Sequence, residues 1–309
     1  MMRVVDLFSG CGGLSLGFQL AGYDVAAAFD NWRPTMDIYS KNFKHPVIDL
    51  DLSSGGAYER VAEFGPEIII GGPPCQDFSS AGKRNEDGGR GSLTVAFAKI
   101  IQKIKPRYFL MENVDRIIKT KKLIDVIEIF SNAGFGLSYT VLDASFCGVP
   151  QQRKRFMMIG ERNGNNDALM PYFQKNLSKR PMTVRDYVGD AWGIEHYYRH
   201  PRNYSRRAIY SMDEPSATIR GVNRPIPKGY PGHNCDSCKI TEEIRPLTTK
   251  ERAQIQTFPA DFIFVGNKTN VEQIIGNAVP VNLAKYVANC LKEYLSDKNS
   301  GKTLNNALF

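Results

Sequence analysis

The sequence contains no run of about eighteen or more apolar residues, the length that a membrane-spanning helix requires. Residues 1–6 lead straight into a short apolar segment and lack the long apolar core and small-residue cleavage site of a signal peptide. Cysteines are also few, with six among 309 residues, which is too sparse for a disulfide scaffold. We therefore expect a soluble cytoplasmic protein that is stabilised by a hydrophobic core and has no membrane partner.

One cysteine pattern raises the possibility of a metal site. Cys235 and Cys238 form a Cys-x-x-Cys pair near His233, which is half of a zinc-binding pattern. A second pair at ligand spacing is missing from the sequence. We therefore predict two loop cysteines and no bound metal.

Basic residues outnumber acidic ones, 40 to 32, which gives a formal net charge of +8. The excess is concentrated between residues 179 and 228, where arginines are interleaved with tyrosines. Arginines pair with phosphates or guanine edges, and tyrosines pack against sugars and bases. This segment favours a nucleic acid as partner, with a solvated basic face as the alternative interpretation.

Short apolar segments alternate with helical patterns over residues 1–160, as they do in parallel α/β sheets. Each segment is ambiguous alone, and the alternation is what indicates the fold class. The predicted strands are 4–8, 23–29, 67–70, 108–111 and 156–159, and the predicted helices are 10–21, 93–104, 123–132, 248–258 and 282–295.

The composition changes after a polar Asn/Gly segment at 163–166. Residues 197–236 are rich in Pro, Gly, Arg and Tyr with little periodicity, which is typical of a loop-dominated recognition lobe. The polar tail from Asp297 is expected to fray, and the sequence has no internal repeats. We predict a Rossmann-like α/β domain, 1–187 completed by 269–309, with a smaller loop-rich domain at 188–268.

The first candidate site is the glycine-rich segment DLFSGCGGL at 6–14, between a predicted strand and a predicted helix. Glycines there let a ligand approach the backbone closely and expose the amides of a helix N-terminus. Asp30 ends the second predicted strand, where a carboxylate can accept hydrogen bonds from ribose hydroxyls. The pattern indicates a nucleoside ligand, although the dinucleotide fingerprint has its third glycine two residues later than Gly13.

The second candidate site is the segment GGPPCQ at 71–76, just beyond a predicted buried strand. Two glycines and two prolines fix a tight loop that holds Cys75 at the carboxyl edge of the sheet, where such folds bind ligands. Glu112 follows the next predicted strand at the same edge. A thiolate and a carboxylate can therefore converge on one substrate.

These elements together resemble the cytosine-5 DNA methyltransferases of bacterial restriction–modification systems. The resemblance covers nearly the whole chain and rests on six elements in the family's order. They are the cofactor motif at 6–13, the catalytic motif PPCQ at 73–76, the acid motif ENV at 112–114, the Gln-x-Arg-x-Arg motif at 151–155, the motif supporting the recognition domain (RPLT at 245–248 through QTFP at 256–259), and the last motif GNAVP at 276–280.

The resemblance implies S-adenosylmethionine as the methyl donor, bound in a Rossmann-like methyltransferase fold. It places Asp30 on the ribose and Asp51, with Asp49 as the alternative, on the adenine amino group. The sequence departs from the family's usual pattern at two places, and both keep the carboxylate. Asp30 stands where relatives commonly have glutamate, and Asp51 lacks their usual preceding glycine. The implied cofactor contacts are Phe8, Gly10, Cys11, Gly12, Gly13, Leu14, Asp30, Asp51, Pro73, Leu93, Asn277 and Ala278.

The resemblance also implies Cys75 as nucleophile and Glu112 as the contact to the ring nitrogen, with Arg153 and Arg155 around the target cytosine. Thiolate addition to carbon 6 makes carbon 5 nucleophilic enough to accept a methyl group. Because a thiol with a pKa of about 8.5 is only a few per cent ionised at neutral pH, backbone amides and arginines are expected to stabilise the thiolate. Glu112 has to act in its acid form, so a raised pKa is expected.

The substrate implied is double-stranded DNA, whose target base has to leave the stack. The glycine-rich segment 77–91 is expected to close over the nucleophile. The resemblance further implies a monomer that works alongside a restriction endonuclease without a stable complex. The predicted DNA contacts are Ser80, Lys83, Arg84, Gln151 and Thr218, together with Arg220, Asn223 and Arg224 for the bases.

Two alternatives stay open. A branch of similar sequence methylates transfer RNA, but the long basic segment and the absence of an extra RNA-binding module favour DNA. The second alternative is a catalytically silent relative that binds DNA. The presence of Cys75, Glu112, Arg153 and Arg155 argues against it. A nicotinamide-dependent oxidoreductase fits the glycine loop but gives the Pro-Pro-Cys segment no role.

Overall fold

The structure is a computed structural model that describes residues 2–74, 92–201, 203 and 205–302. Among the described helices, none combines the length and the apolar character needed to cross a membrane. The strands are β1 Arg3–Leu7, β2 Asp24–Asp30, β3 Val47–Asp49, β4 Ile68–Gly71, β5 Tyr108–Val114, β6 Phe135–Asp143, β7 Gln151–Gln152, β8 Lys154–Arg162, β9 His196–Tyr198, β10 Ile209–Ser211 and β11 Ser216–Ala217. The α-helices are α1 Gly13–Leu20, α2 Arg33–Asn42, α3 Ala57–Ala62, α4 Ser92–Ile104, α5 Lys121–Asn132, α6 Met170–Lys175, α7 Val184–Val188, α8 Thr249–Ile255, α9 Lys268–Asn277 and α10 Val281–Asn299.

The central feature is a seven-stranded sheet in the order β3-β2-β1-β4-β5-β8-β6. Strands β1 to β5 pair in parallel, and β8 runs antiparallel to both of its neighbours. The strand order reverses between β1 and β4, and the carboxyl ends of strands at such a switch point flank the crevice where α/β sheets bind ligands. The predicted α/β class with a mostly parallel sheet is confirmed.

Helices cover both faces of the sheet and bury one apolar layer on each side. On one face α1, α6 and α10 enclose a core that includes Phe18 and Leu283. On the other face α4 and α5 pack on the sheet through Phe97, Phe109 and Phe130, and the rings of the last two lie 4.2 Å apart between centroids. Each fully buried side chain of this size contributes about 1.5–3 kcal/mol, so the two layers dominate the stability of the sheet.

The sequence pattern misses some elements for identifiable reasons. Strand β6 begins with four consecutive buried residues, so it lacks the alternation that marks a half-buried strand. Helix α2 is mostly polar and buries only a narrow stripe. We expected the chain to fray from Asp297. This is wrong for residues 297–299, because α10 continues to Asn299 and Tyr172 donates a hydrogen bond to Asp297 at 3.1 Å.

The predicted smaller domain shares its core with the larger one. Tyr197, Tyr210 and Phe258 are buried in one apolar cluster together with Ile38 and Val281 of the sheet domain. Packing is therefore continuous across both predicted boundaries. The division at 188–268 remains a proposal about recognition, and it does not coincide with a break in the core.

One buried carboxylate anchors the C-terminal helix to the sheet. Glu161, near the end of β8, is 4% exposed and accepts hydrogen bonds from Tyr108 at 2.7 Å, Tyr294 at 2.6 Å and Lys298 at 2.5 Å. Burial acts to raise the pKa of Glu161, but the bonds from Lys298 and the two tyrosines outweigh it and lower the pKa. The carboxylate is therefore held ionised between β5, β8 and α10.

This arrangement predicts that Tyr294→Phe lowers the free energy of unfolding by about 1.5–3 kcal/mol, because a hydrogen bond to a charged group is lost. Tyr286→Phe, on the same helix, removes a bond to the neutral carbonyl of Phe173 at 2.8 Å and is expected to cost about 0.5–1.5 kcal/mol. Urea unfolding of the two variants measures the difference. Equal losses would contradict the anchoring role of Glu161.

Candidate active site and cofactor loop

The loop between β1 and α1 depends on glycine at two positions. Gly12 has a φ of 95°, and a Cβ atom there would lie 2.4 Å from the ring of Phe43. A Cβ atom on Gly13 would lie 2.2 Å from the carbonyl oxygen of Val279, so the last motif packs directly against the first. At Gly10, with a φ of 56°, a Cβ atom would meet nothing within 4 Å, which marks the open side of the loop. The loop therefore presents bare backbone on its open side.

Asp30 holds this loop in place. Its Oδ2 accepts a hydrogen bond from the backbone amide of Gly10 at 2.8 Å, and its Oδ1 accepts one from Trp32 at 2.8 Å. Each carboxylate oxygen can accept more than one hydrogen bond. The predicted ribose contact of Asp30 stays a prediction, and the structure adds a positioning role for the same side chain.

The other predicted cofactor residues differ in exposure. Asp51 is exposed just beyond β3, and hydrogen bonds from the Ser53 hydroxyl and amide to its Oδ1 lower its pKa. The alternative, Asp49, ends β3 opposite Asp30 and is also exposed. Cys11, Leu14 and Pro73 are buried, Phe8, Leu93 and Ala278 are half-buried, and Asn277 is exposed.

A chain of hydrogen bonds runs behind the loop from a buried carboxyl group to a half-buried histidine. Asp6 is fully buried and accepts from the Ser15 hydroxyl at 2.6 Å. The Tyr39 hydroxyl donates to the Ser15 oxygen at 2.6 Å and lies 2.6 Å from Nε2 of His45. Burial raises the pKa of Asp6 to about 7, against the lowering effect of Ser15. The motif predicted neither the raised pKa of Asp6 nor this series of hydrogen bonds.

Two buried polar atoms beside the loop bear on the implied cofactor. Among the described residues, neither Oδ1 of Asp6 nor Oγ of Ser9 has a hydrogen-bond partner. Buried polar atoms are normally paired, so these two suit a ligand that brings polar hydrogens to the loop. An open glycine backbone with unpaired acceptors fits the nucleoside and amino-acid groups of S-adenosylmethionine.

Glu112, at the end of β5, forms an ion pair with Arg155 at the start of β8. Nε of Arg155 lies 2.9 Å from Oε1 of Glu112, and the two side chains are only 13% and 11% exposed. Burial raises the pKa of Glu112, while the charges of Arg155 and Arg153 act to lower it. The expected direction of the shift is confirmed, so the site favours protonation of this carboxyl group more than water does.

The proline loop is fixed against the same carboxyl group. Asn113 donates its side-chain amide to the carbonyl of Pro73 at 3.0 Å, which joins the loop to β5. A Cβ atom on Gly72 would lie 3.0 Å from Oε2 of Glu112, so glycine permits this close approach. Residues 75–91 lie outside the described residues. This gap includes the whole segment 77–91 and the predicted site residues Cys75, Ser80, Lys83 and Arg84.

Arg153 is a buried side chain whose hydrogen bonds connect distant parts of the chain. It is 2% exposed, and its guanidinium donates to the carbonyls of Ile219 at 3.0 Å, Gly276 at 3.0 Å and Ala278 at 3.1 Å. These contacts make Arg153 a positioning residue in this structure. Its predicted contact with the surroundings of the cytosine stays a prediction.

Gln151 also positions backbone, and its predicted DNA contact is not available in this structure. Its side chain is fully buried, donates to Oε1 of Gln256 at 2.8 Å and accepts from the amide of Ile219 at 2.8 Å. Gln256, which we did not predict as a site residue, donates in turn to the carbonyl of Ala278 at 3.0 Å. The sequence shows that such residues are polar, but it does not show that they are buried.

The remaining predicted DNA contacts, Thr218, Arg220, Asn223 and Arg224, fall into two groups. Asn223 donates its side-chain amide to the carbonyl of Leu247 at 2.8 Å and to Glu272 at 3.3 Å, so this nitrogen is engaged within the protein. Thr218 donates its hydroxyl to the carbonyl of Gln152 at 2.7 Å. Arg224 is exposed, and Arg220 is half-buried.

The cysteine pair was predicted to be loop residues. Cys235 is exposed and Cys238 is half-buried, in a segment without helix or strand. Among the described residues, no group of three or more histidine, cysteine or acidic side chains is placed to hold a metal ion.

The raised pKa of Asp6 predicts a pH-dependent stability. Because the folded-state value is about 7 and the unfolded value 3.8, the contribution of Asp6 is fully present below pH 3.8 and is lost as pH rises toward 7. Asp6→Asn cannot ionise, so the stability of the wild type relative to this variant should fall by about 2–3 kcal/mol between pH 5 and pH 8. Urea unfolding at both pH values measures this change.

Ser15→Ala is the matched variant for that measurement. It removes the hydroxyl whose hydrogen bond lowers the pKa of Asp6, so we expect a pH dependence at least as steep as in the wild type. A difference between the wild type and Asp6→Asn that is the same at both pH values would refute the assignment.

Comparison with known proteins places this geometry in a family. The family model described as C-5 cytosine-specific DNA methylase matches residues 2–293. The Type II methyltransferase M.HindV of Haemophilus influenzae is 56% identical over 292 residues, covering 94% of this chain and 96% of that protein. The Type II methyltransferase M.HgiDI of Herpetosiphon aurantiacus is 53% identical over 296 residues, covering 96% of both.

Solved structures agree with the fold. A prophage-encoded DNA modification methyltransferase of E. coli aligns with a TM-score of 0.71 at 22% identity, over 96% of this chain and 100% of that one. The S. pombe Dnmt2 methyltransferase aligns with a TM-score of 0.70 at 18% identity, over 94% and 98%. The Rossmann-like methyltransferase fold that the sequence predicts is therefore confirmed, and the chain is a methyltransferase that belongs to the family of C-5 cytosine-specific DNA methylases.

Proposed function

We propose that this protein transfers the methyl group of S-adenosylmethionine to carbon 5 of a cytosine within a short specific site in duplex DNA. The observation that carries the proposal is the buried pair of Glu112 and Arg155, which faces the proline loop at the carboxyl edge of the sheet. The names of the two Type II relatives support a role in a restriction system, where methylation protects the host's DNA from a cognate endonuclease.

Several residues are suited to hold the methyl donor. The open backbone around Gly10 and the unpaired atoms of Asp6 and Ser9 suit its polar groups, while Asp30 and Asp51 are the candidates for its ribose and adenine. When bound, S-adenosylmethionine supplies an electrophilic methyl group on a sulfonium centre. The last motif packs directly against this loop at Gly13.

In the proposed chemistry the Cys75 thiolate adds to carbon 6 of the cytosine and forms a carbon–sulfur bond. Glu112 donates a proton at ring nitrogen 3, so that the electron pair displaced by sulfur makes carbon 5 nucleophilic. When carbon 5 takes the methyl group, S-adenosylhomocysteine is left behind. Solvent then takes the proton from carbon 5 as the carbon–sulfur bond breaks, and the proton at ring nitrogen 3 returns to Glu112, so that the aromatic ring is restored and the thiolate is released. Arg155 holds Glu112 in place through their ion pair.

The target base has to be extruded from the duplex, which costs a few kcal/mol that contacts in the pocket offset. We propose that residues 188–268 form the target-recognition domain, and that the segment 77–91 closes over the extruded base. We propose further that the enzyme acts as a monomer. Exposed Arg224 is the best-placed of the predicted base-contacting residues.

The substrate class is tested by incubating the protein with S-adenosylmethionine labelled in its methyl group and with either duplex DNA or transfer RNA. We expect label in 5-methylcytosine of the DNA and none in the RNA. Bisulfite sequencing of the same DNA then gives the site and the modified cytosine. Label confined to RNA would support the transfer-RNA alternative, and no label in either would support a catalytically silent relative.

Glu112→Gln tests the acid role. Glutamine preserves the shape of the side chain but has no acidic proton to deliver, so we expect methyl transfer to fall by about 10²–10⁴-fold while DNA binding persists. Asp125→Asn, on the exposed side of α5, is the matched control and should keep full activity. Methyl transfer within a few-fold of wild type in Glu112→Gln would remove Glu112 from the mechanism.

A further inference from the structure

A series of hydrogen bonds behind the loop between β1 and α1 (the cofactor loop) joins a buried carboxyl group to the protein surface. Its four members come from separate parts of the chain: Asp6 on β1, Ser15 on α1, Tyr39 on α2 and His45 just before β3. Each member lies 2.6 Å from the next. Asp6, Ser15 and Tyr39 are fully buried, whereas His45 is half-buried, so solvent reaches the series at His45.

The ionised form of Asp6 fixes the direction of every bond in the series. An ionised carboxylate only accepts hydrogen bonds, whereas a hydroxyl group both donates and accepts. Oδ2 of Asp6 therefore accepts from the Ser15 hydroxyl, and the Ser15 oxygen accepts from Tyr39. The Tyr39 oxygen is left to accept from Nε2 of His45, so a neutral His45 carries its hydrogen on Nε2.

The protonated form of Asp6 reverses the direction of these bonds. The proton belongs on Oδ2, because Oδ1 has no partner among the described residues. Oδ2 then donates to the Ser15 oxygen, and the Ser15 hydroxyl donates to Tyr39. The Tyr39 hydroxyl donates in turn to Nε2 of His45, so the hydrogen of a neutral His45 lies on Nδ1. The tautomer of His45 therefore reports the charge of Asp6.

Passing from the ionised to the protonated form moves a proton along the series without displacing any heavier atom. Solvent adds a proton to Nδ1 of His45 as the Nε2 hydrogen passes to the Tyr39 oxygen. The Tyr39 hydrogen passes to the Ser15 oxygen, and the Ser15 hydrogen passes to Oδ2 of Asp6. Each hydroxyl group between the two ends loses one hydrogen and gains another, so the net change is one proton gained by Asp6.

The surroundings of Asp6 bring its ionisation close to neutral pH. Burial raises the pKa of Asp6 to about 7; two hydrogen bonds from Ser15 act against this shift, and the charge of Asp30 on β2 acts with it. Burial also raises the pKa of the neighbouring Cys11 thiol to about 12. Asp6 therefore changes charge near pH 7, while this thiol does not.

The groups between Asp6 and solvent stay neutral at that pH. Burial, together with the charge of Asp6, raises the pKa of Tyr39 well above its usual value. Burial lowers the pKa of His45 from its usual 6.5, and the charge of Asp24 on β2 opposes this shift. On the far side of the ring, Nε2 of Gln19 on α1 lies 3.5 Å from Nδ1 of His45. A mostly neutral imidazole can therefore take either tautomer near pH 7.

We infer that Asp6 exchanges its proton with solvent through this series, which ends at His45, and that binding of S-adenosylmethionine at the cofactor loop drives this proton out. The inference rests on the proposed function, which supplies the identity of the ligand. S-adenosylmethionine carries a sulfonium cation, and a cation near a carboxyl group favours its ionised form. Oδ1 of Asp6 and Oγ of Ser9 have no partner among the described residues, so acceptors remain for a cationic ligand.

This linkage makes the affinity for S-adenosylmethionine depend on pH. A ligand that prefers ionised Asp6 lowers the pKa of that group, so binding releases a proton wherever the free protein still holds one. Affinity should therefore rise with pH, by up to about tenfold per pH unit, and level off above the free pKa of about 7. Asp6→Asn has no such proton to release and keeps any titration of the ligand itself.

The proton exchange is tested by ¹⁵N nuclear magnetic resonance of the full-length protein, labelled at its four histidines and free of DNA. The His45 signals are identified by their absence in His45→Gln. As pH rises from 6 to 8.5, we expect the hydrogen to move from Nδ1 to Nε2 with a midpoint near 7, and S-adenosylmethionine should lower that midpoint. Asp6→Asn and Tyr39→Phe should show no such change. Tyr58→Phe, whose hydroxyl group bonds to Glu59, is the matched control and should behave as the wild type.

Calorimetric titration with S-adenosylmethionine, in two buffers of different ionisation enthalpy, counts the protons released on binding. Near pH 6.5 the wild type should release more protons than Asp6→Asn, by up to one per protein, and thermal unfolding checks that each variant folds. A His45 tautomer that never changes in the wild type, or that changes equally in Asp6→Asn, would overturn the exchange through the series.

The calorimetry also separates the two proposals. Binding of S-adenosylmethionine with equal proton release in the wild type and in Asp6→Asn would overturn the link between the ligand and Asp6. If S-adenosylmethionine does not bind at any pH, the proposed function itself fails, whereas a change of the His45 tautomer in the free protein would still support the proton exchange.

Discussion

A single buried guanidinium holds three distant parts of this protein in register. Arg153 lies immediately before β8 and donates to the carbonyl of Ile219, in the segment after β11 that we propose for DNA recognition (the recognition segment), and to carbonyls of the last motif, 66 to 125 residues away in the chain. A buried carbonyl that loses its donor is left unsatisfied, at a typical cost of about 1–3 kcal/mol. The recognition segment and the cofactor side of the molecule are therefore positioned by the same side chain.

The neighbouring arginine extends this constraint to the chemistry. The charges of both Arg153 and Arg155 act on the carboxyl group of Glu112, so the two guanidinium groups lie near one candidate catalytic side chain. Arg155 pairs with Glu112, and Arg153 fixes the segment that follows β11. A displacement of this strand end would move the candidate catalytic carboxyl group and the recognition segment together.

Much of the fold follows from the sequence, because alternating apolar and polar segments specify buried parallel strands and covering helices. The carboxyl-edge placement of the glycine loop, the proline loop and Glu112 follows from the same pattern. What spacing does not reveal is which polar side chains are buried. Gln151 and Asn223 carry the right groups to contact DNA, yet both bond to backbone or to partners inside the protein. The raised pKa of Asp6 likewise depends on burial, which the motif alone does not show.

The central claim is that Cys75 bonds to carbon 6 of an extruded cytosine whose ring nitrogen is held by Glu112. The most direct test places 5-fluorocytosine at the methylated position of a duplex, because fluorine at carbon 5 prevents the proton loss that releases the enzyme. In the presence of S-adenosylmethionine, the account predicts a covalent complex that survives denaturing electrophoresis and maps to Cys75 by peptide mass spectrometry. No adduct under conditions where both the duplex and the methyl donor bind, or an adduct at another residue, would contradict it.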